Sequence, residues 1–123
     1  MEMKDGKLAV YAKTRSEWRK WLSKNGTKEK SVWLILFHQK SDMPGVDRIA
    51  ATEEALCYGW IDSLCKKRDA ESYYLTFSPR NVKRNNWSKI NMERAARLIE
   101  AGKMTKRGQS LIDLAKEKGK WMM

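Results

Sequence analysis

The stretch that most constrains this chain is residues 31–38, SVWLILFH, whose middle six positions are all apolar, β-branched or aromatic. A strand with one wet face alternates apolar and polar residues. A run with no alternation is a strand covered on both faces, at the centre of a sheet. Six residues also fall far short of the ~20 needed to span a bilayer as a helix. The sequence therefore has to supply further strands on either side and something to cover both faces.

Residues 7–13 (KLAVYAK) read as a short strand or extended arm. Trp60–Lys67 and residues 72–77 read as two more, joined by the polar turn Arg68-Asp69-Ala70-Glu71 into an antiparallel hairpin. Thr14-Arg15-Ser16-Glu17 is a capping box that starts a helix, with Trp18, Trp21 and Leu22 on one apolar face and Asn25-Gly26 at its end. Thr52 caps a short helix over residues 53–58, ended by Gly59. After Ser88 the chain turns helical. Met92, Ala95, Ala96 and Ile99 form a stripe up to Gly102, and Thr105 caps a last helix with Leu111, Leu114 and Ala115 inward. The expectation is an α+β fold: a small antiparallel sheet of three to four strands with flanking helices and a C-terminal helical pair. At 123 residues it is one domain, residues 1–123, with the sheet and two helices in 1–87 and the helical part in 88–123.

Charge narrows the partners. Lys plus Arg number 26 against 15 acids, a net +11, and this favours anionic partners. The excess is uneven: residues 1–77 carry 14 basic and 11 acidic groups, and residues 78–123 carry 12 and 4. One His and two Cys are too few soft ligands for a protein-only zinc site, so no metal and no cofactor is expected. The first fifteen residues hold no apolar signal core, and cysteines in such a chain are read as thiols. The expectation is a cytoplasmic protein without membrane insertion, monomer or homodimer.

Four places could carry chemistry. Glu53 and Glu54 open a helix, but neighbouring helical residues point about 100° apart, so helix-end electrostatics accounts for them more simply than a shared substrate. Cys57 lies near a helix C-terminus, where the dipole opposes a thiolate, and His38 is the sole imidazole; both read as structural groups. Gly59-Trp60-Ile61-Asp62-Ser63 offers a stacking platform and a carboxylate able to orient an arginine such as Arg80, or else a packed Trp with a structural clamp. The segment 78–89 (SPRNVKRNNWSK) is the strongest. Arg80, Lys83, Arg84 and Lys89 have no acid among them, a Trp is interleaved, and a helix N-terminus follows, which suits an anion or a stacked base. The candidate ligand site is thus Trp60, Asp62, Arg80, Trp87, Ser88, Lys89, Asn91 and Arg94. Trp60 and Trp87 would stack, Arg80, Lys89 and Arg94 would hold negative charge, and Asp62 would orient Arg80. No catalytic residue stands out.

Residues 54–63 (EALCYGWIDS), together with 77–80 (FSPR), 87–91 (WSKIN) and 98–104 (LIEAGKM), resemble the bacterial bacteriocin-protection YdeI/OmpD-associated (OmdA) family. So do residues 17–22 (EWRKWL), 32–34 (VWL) and 115–121 (AKEKGKW), in order and with similar spacing. The chain departs at Asp47-Arg48-Ile49, where relatives often carry Leu-Thr-Tyr. The resemblance implies a small α+β fold akin to the YjbR/CyaY-like and DUF1801 groups. It also implies a bacterial, non-enzymatic stress-resistance role, tolerance of bacteriocins and cationic antimicrobial peptides, with no catalytic residues to carry over. A chain of net +11 repels a cationic peptide, so protection would run through an anionic ligand or a protein partner. Two alternatives stand beside it: nucleic-acid binding through the basic C-terminal third, and an uncharacterised enzyme.

Overall fold

A computed structural model describes residues 2–83 and 86–121. Within them the order is β1 (Glu2–Lys4), β2 (Lys7–Tyr11), α1 (Arg15–Asn25), β3 (Val32–Phe37), α2 (Arg48–Cys57), β4 (Trp60–Lys67), β5 (Ser72–Pro79), α3 (Lys89–Glu100) and α4 (Lys106–Glu117). The class is α+β. The sheet has five strands in the order β1-β2-β3-β5-β4, more than the three to four expected. It is mixed, because β2 runs parallel to β3 while the other pairs are antiparallel. The parallel pair arises because α1 lies between those strands and carries the chain back to the same end.

The apolar run takes the central place that its composition demands. On one side Val32, Leu34 and Leu36 join Trp18 and Leu22 of α1, Ala51 and Ala55 of α2, and Trp60, Leu75 and Phe77 in the main core. On the other, Trp33 and Ile35 pack with Ala9 and Tyr74. Lysine side chains lie over this second cluster, with Lys7 Nζ 5.1 Å from the Trp33 ring and Lys4 Nζ 5.8 Å from that of Tyr74. Their aliphatic stems cover apolar surface while the ammonium heads reach water.

Helix starts follow side-chain caps. Thr14 Oγ1 accepts from Glu17 N, and Glu17 in return accepts from Lys13 N, one residue earlier than a standard box. The second helix begins five residues sooner than Thr52 suggests. Asp47 Oδ1 accepts from Ala50 N at 2.8 Å, and Thr52 sits inside the helix, donating to Arg48 O. In α3 the buried positions are Met92, Ala95 and Leu98, while Ala96 and Ile99 are exposed, so the stripe is rotated from the expected one.

A second core of Leu56, Cys57, Trp87, Met92, Ala95, Leu98, Ile112 and Ala115 joins α2 to the C-terminal pair, and Tyr58 packs against both cores. The junction is tight. The Cys57 carbonyl accepts from both the backbone N–H and the hydroxyl of Thr105, and a Cβ on Gly108 would lie 2.4 Å from that same oxygen. No helix among the described residues is long and apolar enough to cross a membrane.

Candidate functional site

The hairpin β4–β5 and the start of α3 set the site. Trp60 pairs with Pro79 in the ladder, and the next residue, Arg80, donates its backbone N–H to Gly59 O at 2.8 Å. That anchor turns the Arg80 side chain inward, where it is only 6% exposed. Its guanidinium carbon stands 3.8 Å from the Trp87 ring centroid. Nη1 donates to Asn86 O at 3.1 Å, whereas the buried Nε has no hydrogen-bond partner among the described residues.

Nor does any described carboxylate form an ion pair with this guanidinium. Burial therefore pushes Arg80 down to about 10, only partly offset by the more distant charge of Asp62. It still carries its proton at pH 7. A buried, charged donor without a counter-charge is costly unless something pairs with it.

The neighbourhood is cationic and aromatic. Trp121 lies 5.1 Å from Trp87, ring to ring. Lys116 Nζ is 5.3 Å from the Trp121 ring, and Lys120 Nζ donates to Lys83 O at 2.8 Å. The first turn of α3 completes the set. Ser88 Oγ accepts from Asn91 N at 3.2 Å, Arg94 Nη1 donates to Asn91 Oδ1 at 3.1 Å, and Lys89 is exposed at the first helical position. Ser88 is thus spent on its own helix, and Arg94 is steered by Asn91.

Two of the expected residues are elsewhere. Trp60 is 1% exposed in the main core, its Nε1 donating to Gly26 O at 3.1 Å and its ring meeting Trp21 edge-on. It does not share a recess with Trp87, which belongs to the second core. A Trp at the first position of a strand next to the sheet–helix core is drawn in by its large apolar area. Asp62 does not clamp Arg80 either; among the described residues its ion pair is with Arg48, at 3.6 Å. Arg84 lies outside the described residues. Trp121, Lys116 and Lys120 were missed as members; the signal was a Trp within a lysine-rich C-terminus.

Glu53 and Glu54 also behave differently from expectation. One guanidinium bridges them: Arg15 donates to Glu53 Oε1 at 2.8 Å and to Glu54, and Arg19 donates to the other Glu54 oxygen at 2.7 Å. Arg19 also reaches Lys103 O at 2.8 Å. Burial alone would push the Glu54 carboxyl up, but the hydrogen bonds from Arg19 and Arg15 outweigh it and hold it below the usual carboxylate range. Both Glu54 oxygens accept from an arginine, Arg97 stands 3.7 Å from the second Glu53 oxygen, and the arginines of α1 tie it to α2.

A family model described as "Domain of unknown function (DUF8412)" matches residues 10–111. The chain belongs to this family. The match runs from β2 into α4 and so includes Arg80 and the first turn of α3, but stops short of Trp121. No curated protein and no solved structure matches the chain.

Proposed function

We propose that this chain is a non-enzymatic bacterial stress-resistance protein, related to the YdeI/OmdA group, that works from the cytoplasm by holding an anionic ligand or the anionic group of a protein partner at Arg80. The observation that carries the reading is the buried guanidinium with an unpaired Nε and no ion-pair partner among the described residues. An anion entering there gains a charge-assisted hydrogen bond, and the basic excess of residues 78–123 adds longer-range attraction. Trp87 fixes the guanidinium plane from one side, so an arriving oxyanion meets a fork that is already oriented.

The alternatives draw less support. A base stacked on Trp87 is disfavoured, because that ring is only 7% exposed. Catalysis would need an acid, base or nucleophile beside the anion, and among the described residues the Arg80 side chain hydrogen-bonds only to a carbonyl.

Survival tests the biological half. Bacterial cells expressing the chain should outlive cells expressing Arg80→Met when challenged with a cationic antimicrobial peptide. Calorimetry should show no tight complex between that peptide and the protein itself. Equal survival of both strains, or tight salt-sensitive peptide binding, would overturn the reading.

A further inference from the structure

Away from Arg80, the end of the β4–β5 hairpin and the start of α2 line an open recess of about 780 Å³, within the size range of small-molecule sites. Its wall holds the chain's single histidine, His38, and its exposed cysteine, Cys65, with Arg48, Lys67, Ser72 and Tyr73. We propose that this recess binds a small molecule bearing at least two negative charges.

Two observations on the cations support it. The Arg48 guanidinium makes no hydrogen bond among the described residues; its closest acidic neighbour, Asp62, stands at 3.6 Å, outside hydrogen-bond range. The Lys67 ammonium has neither a hydrogen bond nor an ion pair there. Arg48 is thus paired with Asp62 only as a long ion contact, and no hydrogen bond among the described residues uses the donors of either cation, on two different elements facing one hollow.

The one acid in the wall does not cancel them. Asp69 already accepts from Arg68, from Ser72 Oγ at 2.7 Å and from Glu71 N at 2.9 Å, so its oxygens are committed to the turn. The His38 and Tyr73 rings, 5.1 Å apart and inclined at 31°, form an aromatic patch against which an apolar frame can lie. Two cations and a ring face in the same wall select a compact polyanion over a monovalent ion.

The site supplies its own reporters. The full-length chain, isotopically labelled, is titrated with citrate and, separately, with inorganic pyrophosphate at constant ionic strength. The single imidazole signal of His38 is followed, along with the rate at which iodoacetamide alkylates Cys65. The expected result is a saturable His38 shift and a matching slowing of alkylation for at least one probe, with a Kd of about 1 mM or below. Response to citrate alone assigns a polycarboxylate ligand, to pyrophosphate alone a phosphorylated one, and to both a site that reads charge. Arg48→Gln with Lys67→Gln should weaken binding by roughly tenfold or more, since each cation offers charged hydrogen bonds. Lys67→Gln alone serves if the double variant does not fold. Arg80→Met should leave this response unchanged, which separates the recess from the proposed anion site. No saturable shift with either probe, or undiminished binding by the Arg48/Lys67 variants, would overturn the proposal.

Discussion

Replacing Glu54 by Gln tests how the two N-terminal helices are held together. The change keeps the side-chain volume and one acceptor oxygen but removes a charge that is 2% exposed and bridged to Arg15 and Arg19. Breaking a fully buried ion pair costs about 3–5 kcal/mol. Here the arginines are 37% and 32% exposed, Arg15 keeps Glu53, and Arg19 keeps the Lys103 carbonyl. Water and these remaining partners cut the loss to about 2 kcal/mol. For a chain of this length that lowers Tm by roughly 8 °C. The pH dependence has a definite sign. The carboxyl sits below its ordinary value of 4.5 in the fold, so its contribution is complete above that value and disappears as pH falls through the lowered one. Thermal melts of wild type and variant at pH 7 and at successively lower pH should therefore converge in acid. A variant within about 0.5 kcal/mol of wild type at pH 7, or a gap that does not narrow in acid, would refute the account of this cluster.

Two further outcomes follow from packing. Gly108→Ala should destabilise by about 1–2 kcal/mol, because the new methyl meets the Cys57 backbone at 2.4 Å, an overpacking penalty larger than the roughly 1 kcal/mol that Ala normally adds to a helix; denaturant melts showing a more stable variant would contradict it. Of the two thiols, Cys65 should react rapidly with a disulfide reagent in native buffer, whereas burial pushes the Cys57 thiol up and encloses it. Two equally fast thiols would show that the second core opens freely.

Much of the fold was legible because single residues decide local structure. The unbroken run of β3 placed a central strand, and Thr14, Ser88 and Thr105 each accept from a backbone N–H three residues on. β1 was not read, although its signal was present. Asp5-Gly6 has φ of +52° and +75°, the left-handed pair of a two-residue hairpin turn, but a three-residue strand with one apolar residue, Met3, is too short to show a pattern. Asp47 lost to Thr52 as a cap because both types cap well, and only the tertiary position of the preceding loop separates them. The candidate site was half legible. A basic segment before a helix marks Arg80 and Trp87, but sequence spacing does not tell which tryptophan the core will claim, and Trp60 went to the sheet. Trp121 reaches Trp87 only through the packing of α4, a long-range contact that no local pattern encodes.

The proposed anion site requires that Arg80 be buried for a ligand and not for the fold. Arg80→Met decides it, because a thioether can keep the contact with Trp87 while removing an uncompensated charge. Tryptophan fluorescence with added pyrophosphate should show saturable binding to wild type, and at least about tenfold weaker binding to the variant. The variant's stability should be within about 1 kcal/mol of wild type or higher. Absence of pyrophosphate binding by wild type, together with a variant destabilised by more than about 2 kcal/mol, would contradict the account and make Arg80 a structural residue.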